Sequence, residues 1–382
     1  MRQTLRLGRV AGIPVGSHWS VLVIMLLLVQ ILALTVLPVW APDEPAVLYW
    51  AVAVTVAVLF MAALLAHELG HSLVARHYGV RVRGITLWLL GGVSELDGQA
   101  PHARGDLLIA LAGPLVSVAA GALFTGLAVV FGMLGADALA VAALVWLALV
   151  NFVLAVFNLL PGAPLDGGRV LAALLWWTGM DRVTARRVAS RAGMVLGGLL
   201  IAAGIAQLIL LGGLGGLWLA LIGWFLIAAA GAESADARLR QALADLRVRD
   251  VMTTPARSGY ANHSVTDFTD TVVRSHPHRS YPVVDLTGNV TGVVTLASLG
   301  RVPPAQRQTM RLADVQTPRD RLTVLDPDTP LVEVAPQLLA GGHRLAPVIS
   351  EGNLLGVVCG GDVSRATELA SLGVTPARTA AS

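Results

Sequence analysis

His67-Glu68-Leu69-Gly70-His71 stands at the end of an uncharged apolar run that begins near Val47. Residues four apart share one face of a helix, so the two imidazoles can reach a single metal ion while Glu68 stands beside it. A metal held in this way polarises a carbonyl and acidifies a water. A carboxylate one residue from a ligand can take that water's proton and pass it to a leaving amine, so the chemistry indicated is peptide hydrolysis. The run ahead of His67 has the roughly twenty residues a helix needs to cross a hydrocarbon core of about 30 Å. A glutamate there costs roughly 2.5 kcal/mol or more and is rarely present without a role.

A catalytic zinc takes three protein ligands and leaves one position open. Of the nearby carboxylates, Glu95, Asp97 and Asp106 are expected where water can solvate them. Asp166 differs: it follows a helix break at Pro161-Gly162-Ala163-Pro164 and precedes Gly167-Gly168-Arg169, glycines that let backbone approach another group. It is also expected at the membrane level of the two histidines and on the same side, which makes it the third ligand. His18, His77 and His102 lack a helical partner spacing and are read as interfacial.

These residues must be positioned by a membrane-spanning scaffold. Only 13% of the 382 residues are charged, against about 25% in soluble proteins, and mean hydropathy is +0.71. The net charge of +3 is carried by arginine alone, without the clusters and interleaved aromatics of a nucleic-acid surface. A single cysteine, Cys359, excludes an internal disulfide and a thiolate zinc site.

Six spans are expected, near 18–39, 47–71, 107–131, 138–160, 193–211 and 215–234. The first is too long for a signal-peptide core and reads as an anchor. With a cytoplasmic N-terminus, the same side receives Arg76, Arg81, Arg83, Arg104, Arg169, Arg182, Arg186, Arg187, Arg191, Arg238 and Arg240, and the three opposite loops receive none. Both termini are then cytoplasmic and the His pair lies near that face. Between spans two and three, Gly84 to Leu96 is too short to cross and too apolar for a solvated loop. Its Thr, Trp, Val and Ile content around Gly91-Gly92 predicts a re-entrant β-hairpin, with an interfacial loop as the alternative.

Beyond a linker at 236–246 the pattern changes to short strands and helices that repeat. Pro282-Val283-Val284 and Gly288-Asn289-Val290-Thr291-Gly292-Val293-Val294 match Pro347-Val348-Ile349 and Gly352-Asn353-Leu354-Leu355-Gly356-Val357-Val358. Each unit, 247–302 and 311–369, is a small α/β module that buries a face by pairing with the other. The tail, 370–382, is expected to be disordered.

The His-Glu-x-x-His motif, Gly91-Gly92, and the stretch from Asn158 through Pro161-Gly162-Ala163-Pro164-Leu165 to Asp166-Gly167-Gly168-Arg169 resemble the site-2 protease family of intramembrane zinc metalloproteases. The repeat resembles a pair of cystathionine β-synthase-type (CBS) domains. The resemblance implies a polytopic α-helical membrane protein with a C-terminal α/β CBS pair. It implies one zinc on His67, His71 and Asp166, Glu68 as base, and Asn158 holding substrate backbone or steadying an oxyanion. Implied partners are the bilayer, membrane-anchored regulatory proteins cut in or near their spans, and a second copy of the chain through the CBS pair. An adenine nucleotide is a weaker expectation, because each copy keeps half of the usual ribose contact: Thr295 with Ser298 in the first, Cys359 with Asp362 in the second. A CBS-regulated transporter or channel is the alternative from a different class.

Overall fold

The computed structural model describes residues 4–88, 91–98, 100–212, 215–340, 345–372 and 374. The chain divides into two units, 1–234 and 235–382.

The first unit opens with a hairpin absent from the sequence expectation, β1 (Leu5–Val10) and β2 (Ile13–Ser17). Its two-residue turn puts Ala11 and Gly12 at φ 51° and 78°, the positive-φ pair of a type I′ connection that matches strand twist. Helix α1 follows, Ser20–Trp40, with a π-helical stretch at Leu32–Val36. Then come α2 (Ala46–His77), β3 (Arg81–Trp88), β4 (Gly91–Asp97), α3 (Ala103–Met133), α4 (Ala138–Asn158), α5 (Asp166–Trp177), α6 (Arg182–Leu211) and α7 (Gly215–Leu243). Among the described residues, α1, α2, α3, α4, α6 and α7 are long and apolar enough to cross a membrane. Of these, α2, α3, α6 and α7 exceed the expected spans because residues such as Arg76 and Arg182 extend the same helices, whereas α1 and α4 are about as long as expected.

The core of this unit is built from small residues. Ala53, Ala57, Ala142 and Ala143 are buried with Leu32, Leu37 and Leu147, whereas Leu22, Leu26, Leu123, Ile209 and Leu210 face outward, as lipid-facing side chains must. Between α6 and α7 the contact is closer still. A Cβ at Gly197 would strike the Gly223 carbonyl, and one at Gly204 the Gly216 carbonyl.

The segment 84–96 pairs as two antiparallel strands, with Ile85 opposite Ser94 and Leu87 opposite Gly92. The tip of the expected re-entrant hairpin, 89–90, lies outside the described residues. The hairpin is not free-standing. β2 pairs in parallel with β3 (Val15 opposite Ile85), giving the order β1-β2-β3-β4 with β4 at an edge.

In the second unit each repeat carries an antiparallel strand pair, extended in the first repeat to four strands by Gly259–Tyr260 and Thr317–Pro318. In the first, Ser280–Val284 pairs with Val290–Thr295; in the second, Ala346–Ser350 pairs with Asn353–Val358. The stretch read as a linker is helical to Leu243, and Leu243 and Leu246 are buried in the core with Val348 and Val358. The expected disordered tail opens inside the last helix, which runs to Ser371, and from Thr375 it lies outside the described residues.

Candidate metal centre

His67 and His71 lie on the buried stripe of α2, 3% and 4% exposed. Each is oriented from α3. The Nδ1 of His71 is 2.7 Å from the Ile109 carbonyl oxygen, and the Nδ1 of His67 is 2.8 Å from the Ser117 hydroxyl. A carbonyl only accepts, so Nδ1 of His71 carries the proton and its Nε2 bears a lone pair. The Ser117 hydroxyl can accept from Nδ1 of His67, and in that direction the pair gives the same tautomer. Pro114 sits inside α3, where its missing N–H leaves the Ala110 carbonyl, next to Ile109, without its helical donor.

The two Nε2 atoms are 3.2 Å apart, and Asp166 Oδ2 lies 3.2 Å from one and 3.1 Å from the other. Three lone-pair atoms converging where water is largely excluded repel one another unless a cation stands among them. Ligands at 2.0–2.1 Å in a tetrahedron are about 3.3 Å apart, so the donor set and its spacing fit zinc. Among the described residues, this is the group of histidine, cysteine and carboxylate side chains close enough to share one ion. Gly113 leaves the room: a Cβ there would fall on both Nε2 atoms.

Asp166 reaches the histidines because it is the first residue of α5. The glycines after it allow backbone to pack on backbone, Gly167 against the Leu159 and Leu160 carbonyls and Gly168 against Ala163. The break is pinned to α6 by the Ala163 N–H, which donates to the Ala189 carbonyl at 3.1 Å.

Glu68, half-buried, points toward β4, where the Ser94 hydroxyl donates to Oε2 at 2.7 Å. Asn158 lies at the end of α4, its amide donating to the Leu154 carbonyl at 3.0 Å. Among the described residues no hydrogen bond joins it to the His-Asp group. The expected positions of Glu95 and Asp97 hold, both exposed. Asp106 does not: it is 5% exposed, with Arg169, Arg182 and Arg186 at 3.5, 3.3 and 3.6 Å. Its place on the first turn of α3, beneath helices α5 and α6, shields it from the water expected there, and three guanidiniums replace that solvation. Ile109, Gly113, Ser117, Ser94 and Asp106 were not singled out as site residues from sequence. A hydroxyl in an apolar span, one of two with Thr125, was the signal for Ser117; a carbonyl leaves none.

Sequence models of known families match both units. That of peptidase family M50 matches residues 55–137 and 132–202, and that of the CBS domain matches 248–302 and 312–368. A Mycobacterium tuberculosis protein named zinc metalloprotease Rip3 is 42% identical over 96% of this chain and 93% of its own. The Synechocystis zinc metalloprotease sll0528 is 30% identical over 89% of this chain and 88% of its own. Among solved structures, the site-2 protease of Methanocaldococcus jannaschii aligns with a TM-score of 0.42 and 28% identity, over 60% of this chain and 94% of its own.

Proposed function

Because this chain belongs to peptidase family M50, the site-2 proteases, we propose that His67, His71 and Asp166 hold its zinc and that Glu68 is its general base. The protein is a multi-pass membrane protein and an intramembrane zinc metalloprotease with a tandem CBS pair, and with that membership the transport alternative lapses. One observation carries the residue assignment: two Nε2 lone pairs and Asp166 Oδ2 converge within 3.2 Å of one another, one residue from a carboxylate.

When bound, zinc supplies Lewis acidity and an acidified water. The residues do the rest. The Ile109 carbonyl holds His71 in the tautomer that leaves Nε2 free, and the Ser117 hydroxyl orients the His67 ring through Nδ1. Glu68 receives a proton at its carboxylate and returns it to the leaving amine. Asn158 keeps one amide N–H after bonding Leu154 and can donate it to a substrate carbonyl.

A spanning substrate hides its carbonyls in helical hydrogen bonds, and it must be unwound locally before cleavage. Strand addition to the edge of β4 replaces those bonds; the sheet order, which leaves the edge of β4 away from β3 without a strand among the described residues, supports this. The arginine distribution supports cytoplasmic termini and cleavage near that face, releasing a soluble piece of a membrane-anchored regulatory protein. For the CBS pair we propose a structural or dimerising role. Thr295 and Asp362 are engaged in helix caps, Thr295 with the Ser298 N–H and Asp362 with the Cys359 N–H.

The test is co-expression with a library of single-span membrane proteins. The intact chain yields fragments and Glu68→Gln yields none while keeping zinc; the same fragments from both would overturn the assignment of Glu68.

A further inference from the structure

We propose that Ser94 is a positioning residue for the reaction: through its hydroxyl, the edge strand β4 sets the carboxylate of Glu68. The proposal rests on Glu68 being the base. Along β4, Gly92, Ser94 and Leu96 are half-buried while Val93, Glu95 and Asp97 are exposed, the alternation of a strand with one face covered. The covered face meets Glu68 twice. Ser94 Oγ donates to Oε2 at 2.7 Å. Gly92 lies along the rest of the side chain, so that a Cβ there would strike Glu68 Cγ and come within 3.0 Å of Oε1.

The serine is itself oriented. Ser72, on α2 one turn beyond Glu68 and fully buried, donates to Ser94 Oγ at 3.1 Å. With that lone pair taken, the Ser94 proton is directed to the carboxylate. A glutamate on a helix has several staggered rotamers, and this relay selects one in which both oxygens run beside β4. The base is therefore set by the strand as much as by its own helix. A segment that joined the free edge of β4 would bear on the strand that holds it.

Thr and Val are nearly isosteric and differ by the hydroxyl, which makes S94T and S94V the deciding pair in the full-length protein. The probe is a synthetic peptide with one apolar span of about 20 residues, interrupted by Gly and Asn, in the same detergent. A hydrogen bond to a charged acceptor corresponds to about ten- to a hundredfold in rate. The expected result is that kcat falls by that factor in S94V, KM and zinc content stay put, and S94T recovers most of the rate. Equal rates for S94V and S94T overturn the proposal. Ser94→Ala, smaller than the native residue, replaces S94V as the comparison with S94T if S94V loses zinc. Glu68→Gln, run alongside, separates the two failures. An active E68Q overturns the base assignment and the proposal with it, whereas an inactive E68Q with S94V as fast as S94T overturns the role of Ser94 alone.

Discussion

The Ser117 hydroxyl on α3 lies 2.8 Å from Nδ1 of His67 on α2, so a residue fifty positions away in sequence engages one imidazole nitrogen and turns the other, Nε2, toward Asp166. Partners of this kind are worth about 10–100-fold in metal affinity. Ser117→Ala is expected to weaken zinc binding by that factor, measured by competition with a chelator, while activity returns at saturating zinc. Unchanged affinity would remove Ser117 from the site.

Gly113 faces both Nε2 atoms with no space for a methyl group. Gly113→Ala is expected to abolish stoichiometric zinc, read by elemental analysis. Gly126→Ala, on the same helix where a Cβ meets nothing within 4 Å, is the control and should keep it.

Asp106 gathers guanidiniums from α5 and α6 onto α3. Losing one partner of a fully buried pair costs about 3–5 kcal/mol, but the arginine side chains are 23–40% exposed, and water screens part of that. Asp106→Asn should therefore lower stability by about 1–3 kcal/mol, seen as a lower melting temperature in detergent, with Asp106→Glu nearer the parent. No shift in melting would show the cluster to be incidental.

In the second CBS copy, burial pushes the Cys359 thiol up from its ordinary range, helped by the Asp362 carboxylate 3.1 Å from Sγ. Folding thus favours the protonated thiol. That stabilisation is present below the unfolded thiol's pKa and fades as pH rises through the higher folded value. Alkylation at pH 8 should be slower in the folded protein than in urea, and faster in Asp362→Asn than in the parent. A thiol as reactive folded as unfolded would contradict this.

Much of the site was legible because its signals are local. His67 and His71 are four apart on one helix, and Asp166 follows two prolines within four residues that break one. The spans were legible from length and charge. What sequence left hidden depends on contacts between distant segments. The β1–β2 hairpin went unread because β1 has no buried face and β2 is held by pairing with β3, about seventy residues further on. Asp106 looked solvated because its neutralising arginines come from 63 to 80 residues further on. The carbonyl of Ile109 belongs to backbone, which no residue type announces.

Zinc analysis of the purified full-length protein and its variants bears on the central claim most directly. The account predicts one zinc per chain in the parent and in Glu68→Gln, and its loss in His67→Ala, His71→Ala and Asp166→Ala alike. A folded parent without stoichiometric zinc, or an Asp166→Ala variant that binds it as tightly as the parent, would contradict it.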